Sequence, residues 1–201
     1  MPAPRQPKAP ETNVRIDCGR HLIRTIKPDD ASDAWAAWMS DPEVVQMLNS
    51  GGQAMTRRDI VAYIKQFDQR SHLLLGVFEK ESGLHLGILR IDIDTRLKRF
   101  LVFLLIGEAQ HRHKGVTNEI TVPFRDYCFD TLGLETMMAT ALAHNQAIIH
   151  YLLKSGWSLD QTLPRSVKSQ TGGGMLDLCC FSMSRDAWRA WKQANLPAAG
   201  S

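Results

Sequence analysis

One junction limits what this chain can become. Residues 100–106 are apolar without interruption and lead through a polar loop into Arg112, His113, Lys114, Gly115, Val116 and Thr117. A continuous apolar run behind the charged stretch 95–99 reads as a strand buried on both faces, and so a central one. At seven residues it falls far short of the roughly 20 that a membrane-spanning helix needs. A helix is expected from Gly115 to Leu132, with Gly133 stopping it as a C′ glycine. The first N–H groups of such a helix lack partners and its dipole is positive there, which suits a phosphate. Gly115 lets the backbone approach a ligand, and Arg112, His113 and Lys114 add positive potential. The loop has neither the spacing of a Walker motif nor the three glycines of a dinucleotide fingerprint.

The remaining elements alternate in kind. Residues 22–26 alternate like a strand and stop at Lys27-Pro28. Asp29 or Asp30 is expected to cap a helix with Ala31, Ala34, Trp35 and Trp38 on its apolar face. Asp41 caps a second helix with Pro42 at its first position, and Thr56 with Asp59 resembles a capping box for a third. Three strands follow, over 72–79, 84–94 and 100–107. After the glycine loop and its helix come a strand over 134–143, a helix over 145–154, strands over 157–159 and 176–183, and a helix with Trp188 and Trp191. Pro123 is expected to kink the helix that contains it. The fold class is therefore α+β, or mixed α/β.

Charge narrows the function. The formal net charge of +3 is mild and no dense basic run occurs, so nucleic acid is not an expected partner. No membrane segment or secretory signal is read, and the proline-rich start has no apolar stretch. The four cysteines show no zinc-site spacing, no metal is expected, and free thiols point to a reducing, cytoplasmic setting.

Arg112-x-x-Gly115-x-Thr117 resembles the pyrophosphate signature of the GNAT superfamily of N-acetyltransferases. The stretches 129–135, 145–147 and 153–157 are similar to that family's second half. Residues 22–24, 35–38 and 40–44 resemble the branch that acetylates ribosomal proteins (RimJ/RimL-like). The resemblance implies a single GNAT-like domain over 19–192, with a central, mostly antiparallel mixed sheet flanked by helices. A disordered leader over 1–18 and a flexible tail over 193–201 would flank it. It also implies acetyl-CoA as co-substrate and a primary amine as acceptor, on a small molecule or a protein N-terminus, attacked directly in a ternary complex. A homodimer is possible, and a GNAT-shaped module that binds CoA without catalysis is the second reading.

Carried over by position, Leu105, Ile106 and Gly107 would pair with the pantetheine arm, and the Leu105 N–H would polarise the thioester carbonyl. Arg112, His113, Lys114, Gly115, Val116, Thr117 and Asn118 would form the pyrophosphate cradle, with Asn145 bonding the cofactor near the pantetheine. Some relatives place a Glu five residues before that Asn and a Tyr seven after it; Thr140 and Leu152 stand there in this chain. Tyr151 is expected to face another side of its helix. Candidate proton acceptors are Asp92, Asp94, Glu108 and His144, of which His144 has the best intrinsic pKa.

Overall fold

The computed structural model describes residues 13–196; residues 1–12 of the expected leader and 197–201 of the expected tail lie outside them. Eight strands form one sheet in the order β1-β2-β3-β4-β5-β6-β8-β7. They are β1 (Arg15–Cys18), β2 (His21–Thr25), β3 (His72–Glu79), β4 (His85–Asp94), β5 (Arg99–Ile106), β6 (Thr136–Leu142), β7 (Ser158–Lys168) and β8 (Met175–Ser184). Every pairing is antiparallel except β5 with β6. Residues 15–18, expected to belong to the leader, thus form β1. Ile16 and Cys18 alternate into the core, and Gly19 (φ 73°) turns the chain back into β2.

The α-helices among the described residues are α1 (Asp33–Trp38), α2 (Pro42–Leu48), α3 (Arg57–Ile64), α4 (Val116–Asp126), α5 (Gln146–Lys154) and α6 (Arg185–Asn195). Two apolar clusters lie on opposite faces of the sheet. One joins Leu73, Leu75 and Ile91 to Ile120 and Phe124 of α4 and to Trp188 of α6. The other joins Leu74, Ile88 and Leu105 to Trp35 and Trp38 of α1 and Ile60 of α3. Among the described residues no helix is long and apolar enough to cross a membrane.

Local chemistry explains most boundaries. The capping box on α3 forms in full, with Asp59 N–H donating to Thr56 Oγ1 and Thr56 N–H to Asp59. Asp41 accepts the Glu43 N–H at 2.9 Å at the start of α2. At α1 the cap is Ser32, which accepts the Trp35 N–H at 3.1 Å. The expected cap Asp30 is taken by Arg24, at 2.6 and 2.8 Å, and a one-turn 3-10 helix fills the gap. That shift leaves Ala34 exposed and buries Ala36. Helix α4 runs through Pro123, and its continuation over residues 127–131 widens into a π-helical turn before Gly133 (φ 68°) ends it.

The glycine within β4, Gly87, lets the neighbouring strand approach at close range. Between Val77/Phe78 of β3 and His85/Gly87 of β4 the register slips by one residue, a bulge at Leu86. A Cβ on Gly87 would sit 2.1 Å from the Leu105 carbonyl oxygen of β5. Beside it, the His85 ring stacks on Phe78 and meets Trp35 and Trp38 edge-on. Its Nε2–H donates to the Gly87 carbonyl at 2.9 Å.

Burial holds the His85 pKa down at about 4, against an unfolded value of 6.5. Its neutral form therefore contributes stability that is complete above pH 6.5 and is lost as pH falls toward 4, on the order of 3 kcal/mol. His85→Gln keeps a donor for Gly87 and does not titrate. Urea melts between pH 7 and 4 should show a shallower loss of stability for this variant than for the parent chain; parallel curves would contradict the assignment.

Candidate functional site

Strands β5 and β6 pair only at Arg99–Thr136, Phe100–Met137 and Leu101–Met138. Beyond that they part, and a cleft of about 970 Å³ opens between residues 102–106 and 139–142. This is why the apolar run is not sealed on both faces: Phe100 and Leu105 are buried, while Leu101 to Leu104 and Ile106 are half-buried. The cleft crosses the sheet. Val116, Ile120 and Phe124 of α4 line it on one face, and Leu48 and Phe103 belong to the cluster on the other.

At the mouth stands the start of α4. Gly115 is its N-cap, with φ 82°, a conformation that favours glycine. No side chain caps the helix there, and nothing lies within 4 Å of where a Cβ on Gly115 would sit. The acid of the first turn, Glu119, faces away and accepts the Arg20 N–H at 2.8 Å and pairs with the Arg20 guanidinium, also at 2.8 Å. An open helix N-terminus without a competing carboxylate is a receptor for an anion. His113 (φ 60°, exposed), Gly115, Val116, Thr117 and Asn118 all line this end. Lys114 is exposed and does not line the cleft.

Arg112 does a different job from the one its place in the loop implies. Its guanidinium donates to Asp41 at 2.8 Å, to Glu43 at 2.6 Å, to the Gly107 carbonyl at 2.7 Å and to the Ile106 carbonyl at 3.2 Å. The side chain is 8% exposed, and its hydrogen bond holds the Asp41 carboxyl below the usual carboxylate range. With four acceptors engaged, the guanidinium is a strut that ties α2 to the end of β5. Four of its five guanidinium N–H groups are spent in these contacts, which leaves one of them and the backbone of Arg112 to serve a phosphate.

A split parallel pair in the middle of an eight-stranded sheet, with an uncapped helix at its mouth, is a specific arrangement, and residues 20–158 match the family of the Acetyltransferase (GNAT) domain. The chain belongs to the GNAT acetyltransferase family. Solved structures share its fold. A GCN5-related N-acetyltransferase from Brucella melitensis superposes with a TM-score of 0.75 at 17% identity, covering 94% of this chain and 90% of that one. Spermidine N-acetyltransferase from Vibrio cholerae, in complex with CoA and spermine, gives 0.74 at 13%, covering 85% and 98%. Ribosomal-protein-S5-alanine acetyltransferase from Vibrio fischeri gives 0.68 at 13%, covering 88% and 99%. No curated protein sequence matches the chain.

Within the GNAT fold, Leu105, given a catalytic role by resemblance, and His144, given one by its location and intrinsic pKa, both direct their polar groups away from the cleft. Backbone groups alternate sides along a strand. On β5, the Gly107 N–H donates to Leu86 of β4, the Leu105 carbonyl faces Gly87 of β4, and the Lys98 carbonyl accepts from Glu135 ahead of β6. Odd-numbered residues therefore direct their polar groups to β4, and even-numbered ones to the cleft. The Leu105 N–H is turned into the ladder; those of Leu104 and Ile106 face the opening. His144 is exposed on the turn before α5 and does not line the cleft. Neither do the other three acid–base candidates. Asp92 pairs with His72 at 2.9 Å, Asp94 accepts the Leu97 N–H at 3.1 Å, and Glu108 borders a separate small hollow beside Trp38.

Asn145 lines the cleft, but as the N-cap of α5 its Oδ1 accepts the Ile148 N–H at 3.3 Å. Tyr151, expected to face another side of its helix, points into the cleft instead. Its hydroxyl lies 3.0 Å from Thr121 Oγ1 of α4, which itself donates to the Thr117 carbonyl at 2.6 Å. Both side chains line the cleft, as does the buried Leu152, which has no polar group to offer. The signal was available: Ile148 and Tyr151 are three apart on one helix and share a face. Cys128 is buried and its thiol is pushed far up by that burial, so it is no nucleophile. Among the described residues no cluster of three or more His, Cys, Asp or Glu is placed to hold a metal ion.

Proposed function

We propose that the chain transfers an acetyl group from acetyl-CoA to a primary amine by direct attack in a ternary complex. The observation that carries this is the cleft itself: an uncapped helix start at one end, and free strand edges leading inward from it. The N–H groups at the start of α4 would receive the pyrophosphate, and the cleft-facing backbone of Leu104 and Ile106 would receive the pantetheine arm. As a neutral amine attacks the thioester carbon, charge grows on the carbonyl oxygen, and the Ile106 N–H is the donor placed to meet it. The new C–N bond forms, the C–S bond breaks, and the amine gives up its proton to solvent. The Tyr151 hydroxyl supplies a proton to the departing thiolate, and Thr121 orients it.

No carboxylate among the described lining residues is free to act as base, since Glu43 is held by Arg112. Rate then comes from positioning and from the fraction of amine that is deprotonated. A thiol-release assay with acetyl-CoA and a panel of primary amines tests the proposal. Tyr151→Phe is expected to lower kcat by about a hundredfold with little change in acetyl-CoA affinity. Unchanged kcat would remove the tyrosine from the mechanism, and absence of any amine-dependent thiol release would remove the reaction.

A further inference from the structure

The acceptor side of the cleft differs in character from the mouth. It lies on the face of the sheet where α1–α3 pack, between α2 and the β7–β8 hairpin. Met47, Leu48, Phe103 and Val167 make it apolar, and Lys168 places a cation at its rim. Glu43, the one carboxylate among the described lining residues, is held by Arg112 at 2.6 Å, a guanidinium it shares with Asp41. The remaining charged side chains that line the cavity are cationic: Arg125, at its inner end, is bound to the Ser155 carbonyl at 3.0 Å and lies over the Trp157 and Trp188 rings.

The acceptor side is also bridged. Asn49, the C-cap of α2 with φ 49°, donates from Nδ2 to the Lys168 carbonyl at 2.8 Å, and its Oδ1 accepts the Gln170 N–H at 2.8 Å. Two hydrogen bonds from one side chain, across more than a hundred residues of sequence, stitch α2 to the hairpin. An acceptor therefore enters a spanned passage rather than an open groove.

Resting on the acetyl-transfer reading, we infer that the acceptor is a small primary amine with an apolar body and no second positive charge. A polyamine carries further ammonium groups along its length, and each needs a carboxylate or an exposed carbonyl to replace its water. Here it would meet apolar side chains and the Lys168 ammonium. A protein N-terminus brings a chain of polar peptide groups that must pass under the Asn49 bridge. A single amine on an aromatic or aliphatic body leaves no charge to be compensated once it is deprotonated for attack, and its body is matched by Met47, Leu48 and Phe103.

The test is a comparison of kcat/KM by thiol release for 2-phenylethylamine, spermidine and a hexapeptide with a free N-terminal alanine. It uses the full chain, with acetyl-CoA binding measured in parallel by calorimetry. 2-Phenylethylamine is expected to exceed both others by about tenfold or more, and Lys168→Glu to raise spermidine relative to 2-phenylethylamine by about fivefold, because a like charge at the rim has become an opposite one. Equal or better turnover of spermidine or the peptide, or an unmoved ratio in Lys168→Glu, overturns the acceptor assignment and leaves acetyl transfer standing. Binding of acetyl-CoA with turnover of none of the three overturns acetyl transfer, and the acceptor assignment with it.

Discussion

Gly87→Ala is expected to destabilise the protein by about 3 kcal/mol, lowering the melting temperature by about 6–12 °C. A methyl group there would lie 2.1 Å from the Leu105 oxygen, 2.9 Å from Ile106 Cα and 3.0 Å from the Leu105 carbonyl carbon. All three are backbone atoms of a paired strand, so no side chain can swing aside. Relief requires β5 to move away from β4 at the very residues that border the cleft, so acetyl-CoA binding should weaken as well. Gly51→Ala is the control: nothing lies within 4 Å of its Cβ position, and a change within about 0.5 kcal/mol is expected. Thermal melts of both variants decide it, and a Gly87→Ala curve that overlays the parent would show that the strands are not packed as described.

Arg112→Ala should produce the second large effect, on stability and affinity together. The side chain joins Asp41 and Glu43 of the α2 start to the Ile106 and Gly107 carbonyls at the end of β5. Its removal leaves two carboxylates facing two carbonyl oxygens without a donor. Part of that charge is regained by water, since the Glu43 side chain is 49% exposed, and a loss of about 2–3 kcal/mol follows. Acetyl-CoA affinity should drop with it, because the loop before Gly115 loses its anchor. A guanidinium that bound phosphate directly would give another pattern: weaker affinity at unchanged stability. Arg112→Lys separates the two further, since one ammonium keeps the charge but cannot span four acceptors.

How far the sequence could be read differs from place to place. Caps at Asp41 and Thr56, the glycine stop at 133 and the apolar run of β5 were legible because each is fixed by neighbours within a turn or two. The loop over 112–118 was legible as a strand, a glycine and a helix start for the same reason. What was not legible depends on partners far away in sequence. Arg112 looks like a phosphate ligand until Asp41 and Glu43, some seventy residues earlier, arrive beside it. The donor on β5 is set by parity against β4 and β6, which no periodicity within β5 alone reveals. Strand β7 was read as three residues because its eleven mixed residues, all exposed but Val167, carry no alternation; β8 and its hairpin hold it in place. Asp30 lost its capping role to Arg24 for the same kind of reason.

Acetyl-CoA is proposed to occupy the split between β5 and β6 with its pyrophosphate on the start of α4. Calorimetric titration of acetyl-CoA into the parent chain and into Gly115→Val tests this most directly. A β-branched residue at φ 82° is strained and crowds the N–H groups of the first turn without touching the core. One-to-one binding by the parent chain, weakened by about tenfold or more in a variant that still melts cooperatively, is the predicted result. No binding by the parent chain, or equal affinity in both, would contradict it.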